Sequence, residues 1–213
     1  MALNANMVEQ LCTWCLKIAS LADTREAARR DFFGCDEPGE VHYEEGAGYP
    51  MIRDRRFLGW FALTFKLPDG RHPAELAATA ILTGSDQTSA IDSIKGSRYI
   101  LAMVAIINPG RGLILRLEDE EFIVDNHQLS RIFNRDDALY AHIIPTGRRR
   151  WLVGPGWLEW PMPITLDMQS RLKSLQFSPI DLERALQQRI DTSGECLKME
   201  SPQGDALNHA VRG

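Results

Sequence analysis

At Ser97 the hydrophobic period of this chain changes. Before it, apolar residues recur every three to four positions, the spacing of one helix face; after it, they run in short blocks or alternate, the spacing of strands. A chain divided in this way is neither an all-helical bundle nor an all-β sandwich. The expectation is an α+β fold in which helices are segregated from a small sheet.

In the first part, Met7, Leu11, Trp14, Cys15, Ile18 and Leu21 share one helical face, and this helix is predicted to end near Ala22. Asp23 with Glu26 makes a capping-box pattern for a second helix through Phe33, stopped by Gly34, so that the two form a helical hairpin. Residues 36–50, DEPGEVHYEEGAGYP, combine two prolines with five acids and are predicted to be an acidic surface loop. Phe57, Trp60, Phe61, Thr64 and Phe65 then fall on one helical face, although aromatic and β-branched content leaves a strand open for part of the segment. Arg53, Arg55 and Arg56 read as its solvated first turn. LPDG is a turn, Pro73 suits the first position of a helix through Leu82, and a further helix spans Ser85 to Ile94.

In the second part, Tyr99 to Ile107 is almost wholly apolar, as expected of a strand covered on both faces, and NPGRG is a hairpin loop. In LILRL, Leu113, Leu115 and Leu117 are predicted to point inward, with Ile114 and Arg116 outward. EFIV follows the EDE turn, and ALYAHIIP and RWLV flank a TGR turn. Five short strands within about 60 residues predict a small SH3-like or OB-like barrel, with N-terminal and C-terminal helices packed around it. The organisation is then a helical region at 1–97 containing the acidic loop, a barrel at 98–161, helices at 162–191 and a disordered tail at 192–213.

RRFLGWFALTFKLPDGRHPAEL and SRYILAMVAIINPGRGLILRLEDEEFIV carry an R-F-x-x-W-F segment, a D-G-R-x-P turn and a G-R-G-L hairpin. Over about residues 50–160 the chain resembles uncharacterised bacterial proteins that often carry a C-terminal SEC-C zinc motif. That cysteine-rich motif is absent here, where Cys196 stands alone, so its zinc-linked role does not carry over.

Composition excludes several classes of function. The formal charge is −5, and the barrel segment 98–161 balances 8 basic against 8 acidic residues, without the basic excess of a typical nucleic-acid module. No stretch has the apolar length of a membrane span and the N-terminus lacks a signal-peptide pattern, so a cytoplasmic protein with reduced cysteines is expected. No G-x-S-x-G elbow, Walker-type loop or dinucleotide fingerprint occurs. Neither an enzyme nor a cofactor is expected, and a catalytic group around Tyr140, His142 and Asp136 is the least favoured reading.

Cys12 and Cys15 form C-T-W-C. Zinc would need further ligands, and only Cys35, His42 and Cys196 stand at a distance, while a redox pair belongs at a helix N-terminus rather than mid-helix. Core packing is preferred and no metal is expected. None of His42, His72, His127, His142 and His209 has metal-ligand spacing, and His142 is expected to be structural. Arg148, Arg149, Arg150 and Trp151 could pair with phosphate and stack on a base, or could be a solvated turn facing Glu159, Asp136 or Asp137. Trp151, Trp157 and Trp160, in a segment rich in glycine and proline, either pack internally or form a binding patch. The leading expectation is a non-enzymatic adaptor or regulatory protein that binds a protein partner within a bacterial assembly. Trp157 or Trp160 would be its anchor, Arg148 to Arg150 the rim, and Glu44 and Glu45 contacts for a basic partner. The alternative is a single-stranded nucleic-acid binder that uses the barrel face.

Overall fold

The computed structural model describes residues 3–33, 52–147, 149–160, 180–181, 197–200 and 206–209. It is an α+β molecule in which a helical layer packs on a closed five-stranded barrel. Most of the predicted helices at 162–191 lie outside the described residues, as does the acidic loop.

The helices are α1 (Ala5–Cys15), a 3-10 turn at Ala19–Leu21, α2 (Ala22–Phe33), α3 (Ile52–Leu63), α4 (Pro73–Ile81) and α5 (Gly84–Lys95). Asn4 caps α1 by accepting the Met7 N–H at 2.9 Å. This helix stops at Cys15, short of the predicted Ala22. It lies against α3 and α4, and α2 lies against α3, so the expected α1–α2 hairpin does not form. Helical spacing specifies a face but not its partner. Ala74, Ala77 and Ala78 on α4 are fully buried, and their small side chains permit close approach.

On α3, Phe57, Leu58, Trp60, Phe61, Ala62 and Leu63 are all buried, the pattern of a helix surrounded by protein. Its aromatic rings pack with one another and with α2: Phe32 lies 5.6 Å from Phe57 and 5.2 Å from Trp60. Arg55 and Arg56 are buried at 3% exposure each, which corrects the expectation of a solvated first turn. The cause is the Gly154-Pro155-Gly156 turn, which docks against this helix. A Cβ on Gly59 would stand 2.5 Å from the Pro155 carbonyl oxygen, and Gly156, at φ +84°, sits against the Arg56 backbone.

The barrel strands are β1 (Arg98–Asn108), β2 (Gly112–Leu117), β3 (Glu120–Val124), β4 (Ala138–Gly147) and β5 (Arg150–Val153), with a short helix α6 (Leu129–Ile132) between β3 and β4. β1 pairs antiparallel with both β2 and β4, β2 with β3, and β4 with β5. A parallel β3–β5 step closes the ring. A meander of the SH3 kind has no parallel pair, so the order β1-β2-β3-β5-β4 resolves the two expected barrels in favour of the OB-like Greek key. Leu113, Leu115 and Leu117 are buried inside it and Arg116 is exposed outside, as the alternation predicted.

Two further features lie beyond the barrel. β6 (Leu158–Glu159) adds to the edge of β4, and β7 (Leu197–Glu200) and β8 (Ala206–His209) extend the sheet from β6 as an antiparallel hairpin. These two segments of the tail are therefore strands rather than disordered. An open edge supplies backbone donors and acceptors to any extended segment, whatever its hydrophobic period.

Among the described residues, the helical layer α1–α5 covers one side of the barrel. Alternation along β4 sends Leu139, Ala141 and Ile143 into the barrel core and Ile144 into the helical core, where Tyr99 of β1 and Leu152 of β5 also pack. The outer side of β2 and β3 carries no helix of this layer.

Candidate functional site

On that uncovered side the strand register lays out two rows. Ile106 faces Ile114, Ile114 faces Ile123, and Ile123 is the parallel neighbour of Arg150. Ile106 is 46% exposed, and Ile114 and Ile123 are half-buried, so three branched aliphatic side chains form a continuous accessible stripe. The adjoining row is Met103, Arg116 and Glu121, the last two joined by an ion pair at 3.0 Å. Ile106 reaches the outer side because β1 bulges between Val104 and Ile106, which shifts the alternation by one residue. Met103, Ala105 and Ile106 also floor a cleft rimmed by Arg116, Glu118, Arg135 and Asp136.

Beside the stripe, three connections gather toward the C-terminal end of β3. The β1–β2 loop is held there by Gly112, since any Cβ at that position would collide with the Val124 carbonyl. Gly110, at φ +70°, donates its N–H to the Ser130 hydroxyl of α6 at 3.1 Å, and that hydroxyl donates to the His127 carbonyl at 2.8 Å. In the β4–β5 turn, the Arg149 carbonyl accepts the Ile123 N–H at 3.2 Å. Arg149 holds φ +63°, a left-handed conformation that glycine or asparagine adopts far more readily. Arg111, Arg131, Arg149 and Arg150 are all exposed around this junction. Arg150 is ion-paired with Asp125, whereas Arg111, Arg131 and Arg149 have no acidic partner among the described residues.

The structure brings together only part of the set expected from sequence. Arg149 and Arg150 lie at the stripe, and Arg150 meets Asp125 rather than Glu159, Asp136 or Asp137. Trp151 is half-buried, edge-on to Phe122 at 5.3 Å. Trp157 and Trp160, expected either to pack internally or to serve as the apolar anchor, pack internally at 4% exposure each. Trp157 packs in the barrel core 5.5 Å from Phe133, and Trp160 lies 5.8 Å from Tyr140, because the same Gly-Pro-Gly turn that buries Arg55 carries them inward. Arg148, Glu44 and Glu45 fall outside the described residues. The stripe itself was missed as a site. Its signals were the outward Ile114 in LILRL and the matching Ile123 in EFIV.

Tyr140 and His142 are 1% exposed on the side of β4 turned to the helices, whereas Asp136 is exposed on a loop, so these residues do not converge on one accessible centre. Burial, with a smaller contribution from the charge of His72, pushes the His142 imidazole down to about 3. Tyr99 stacks on Tyr140 at 5.2 Å and meets the His142 ring edge-on at 4.8 Å, which makes the group a packed aromatic seam. Cys12 and Cys15 are fully buried free thiols; Cys15 donates to the Leu11 carbonyl at 3.2 Å, and burial pushes it up to about 12. Among the described residues no three His, Cys, Asp or Glu side chains are grouped to hold a metal, and no helix is long and apolar enough to cross a membrane.

The fold and this surface define a class: an OB-like barrel backed by helices, with its β2–β3 side uncovered by the helical layer among the described residues. Comparison with known protein families, characterised proteins and solved structures found no match to the chain.

Proposed function

We propose that the chain is a non-enzymatic adaptor or regulatory protein that binds a protein partner through the β2–β3 side of its barrel. The observation that carries this is the aliphatic stripe of Ile106, Ile114 and Ile123, accessible on the side that the helical layer leaves uncovered. Interfaces place apolar side chains at the centre and charged ones at the rim, and here the stripe is bordered by Arg116, Glu121 and Arg150. A reducing cytoplasm suits the buried free thiols. The anchor is the stripe rather than Trp157 or Trp160.

A photo-crosslinking residue at position 114, in lysate of the source organism, tests this. A discrete protein adduct lost in the Ile106→Asp/Ile123→Asp variant is the expected result, and absence of any protein adduct refutes it.

Single-stranded nucleic acid is the second reading, favoured by the OB-like topology and the arginines where the loops meet, since OB-like barrels bind oligonucleotides on this side. Two features count against it. The accessible stripe is aliphatic where base stacking calls for aromatic rings, and Arg116 and Arg150 are already ion-paired. Affinity for an oligonucleotide measured at two salt concentrations discriminates the readings, because phosphate contacts weaken steeply with salt.

A further inference from the structure

The adaptor reading leaves the partner's chemistry open, and the arginine junction supplies it. Three exposed arginines from three separate connections, Arg111, Arg131 and Arg149, flank the stripe on the side of the C-terminal end of β3, without an acidic partner among the described residues. The Gly110–Ser130 hydrogen bond fixes two of those connections together, and the Arg149 carbonyl bond to Ile123 fixes the third to the stripe. Like charges on neighbouring connections repel, and an anionic ligand would relieve that cost. Arg149 adds a second cost by occupying left-handed backbone without being glycine or asparagine.

We infer that this junction and the stripe together form a docking site for an acidic segment of a partner protein that carries branched aliphatic side chains. This inference rests on the adaptor reading above. The carboxylates lie on Arg111, Arg131 and Arg149, and the aliphatic groups lie on Ile123, Ile114 and Ile106. A carboxylate can take two parallel N–H donors from one guanidinium, which sets orientation as well as charge. The aliphatic stripe selects a peptide over a nucleic acid, because isoleucines match branched side chains in shape and provide no ring for base stacking. The opposite end of the same strands bears Asp119, with Glu120 and Glu121 held in ion pairs by Arg98 and Arg116, so it offers an acidic segment less than the arginine side does.

The test is fluorescence anisotropy with three labelled probes: a short peptide alternating glutamate and isoleucine, the same peptide with lysine in place of glutamate, and oligothymidylate. The expected result is binding of the acidic peptide alone. Its affinity should fall about tenfold or more in Arg111→Glu/Arg131→Glu and also in Ile114→Ser. Arg149→Asn, which keeps a residue tolerant of left-handed backbone, should weaken it without changing the circular dichroism spectrum. Tighter binding of oligothymidylate than of either peptide overturns the inference in favour of nucleic acid; equal peptide binding by wild type and variants, or binding of no probe, overturns it outright. The crosslinked adduct at position 114 separates this failure from failure of the adaptor reading. An adduct retained by Arg111→Glu/Arg131→Glu refutes the acidic segment alone, and the lack of any protein adduct refutes both.

Discussion

The Arg55 guanidinium forks onto both carboxylate oxygens of Glu9, each at 2.9 Å, and joins α3 to α1 across the helical core. The Arg55 side chain is 4% exposed and that of Glu9 28%, so water reaches only the acid. Removing Glu9 takes the bidentate carboxylate away from a buried guanidinium, and breaking such a pair is costlier than the pair is valuable.

Glu9→Gln should therefore destabilise the protein by about 3 kcal/mol, and the double variant Glu9→Gln/Arg55→Met should recover part of that loss. Urea denaturation of wild type, single and double variants measures both values. A double variant less stable than the sum of the single losses would show that Arg55 contributes mainly by packing.

His142 predicts a dependence on pH. Its imidazole is held neutral by burial, with a folded value of about 3 against an ordinary 6.5 in the unfolded chain. Between these values the unfolded state binds the additional proton, so stability is complete above about pH 6.5 and falls as pH drops toward 3. The slope from this one group approaches about 1.4 kcal/mol per pH unit. Denaturation midpoints at pH 7.5 and pH 5 should differ in the wild type and differ less in His142→Phe.

Leu115 and Ile106 are both aliphatic but face opposite sides of the barrel wall. Leu115 is fully buried in the barrel core, so Leu115→Ala should cost about 2–5 kcal/mol through lost burial and a residual cavity. Ile106 is 46% exposed, and Ile106→Ala should change stability by no more than about 0.5 kcal/mol while weakening partner binding. A large stability loss at Ile106 would mean that the stripe is scaffold.

Cys12 and Cys15 should react with a thiol reagent only on unfolding, since burial raises the Cys15 value to about 12 and leaves no thiolate at neutral pH. Thiol titration in buffer and in denaturant checks this. Metal analysis of protein purified without added zinc should find no stoichiometric metal, and one zinc per chain would refute core packing as the role of the pair.

What could be read along the chain was what depends on near neighbours. The alternation in LILRL placed Leu113, Leu115 and Leu117 inside and Arg116 outside, and Pro73 marked the start of α4, because strand period and helix termini are decided within a few residues. The change of period at Ser97 likewise separated helices from barrel to within a residue of Arg98. Tertiary contacts between distant segments decided the rest. Whether the barrel was SH3-like or OB-like depended on Ile123 pairing with Arg150 across α6 and β4. Arg55 is expected to be solvated, and the sequence leaves Trp157 open between internal packing and a binding patch; the Gly-Pro-Gly turn lying on α3 decides both, a contact that no local period encodes. The stripe of Ile106, Ile114 and Ile123 follows the same logic: each isoleucine is an ordinary strand residue in its own segment, and only the bulge in β1 and the register of β2 and β3 align the three on the side that the helices leave open.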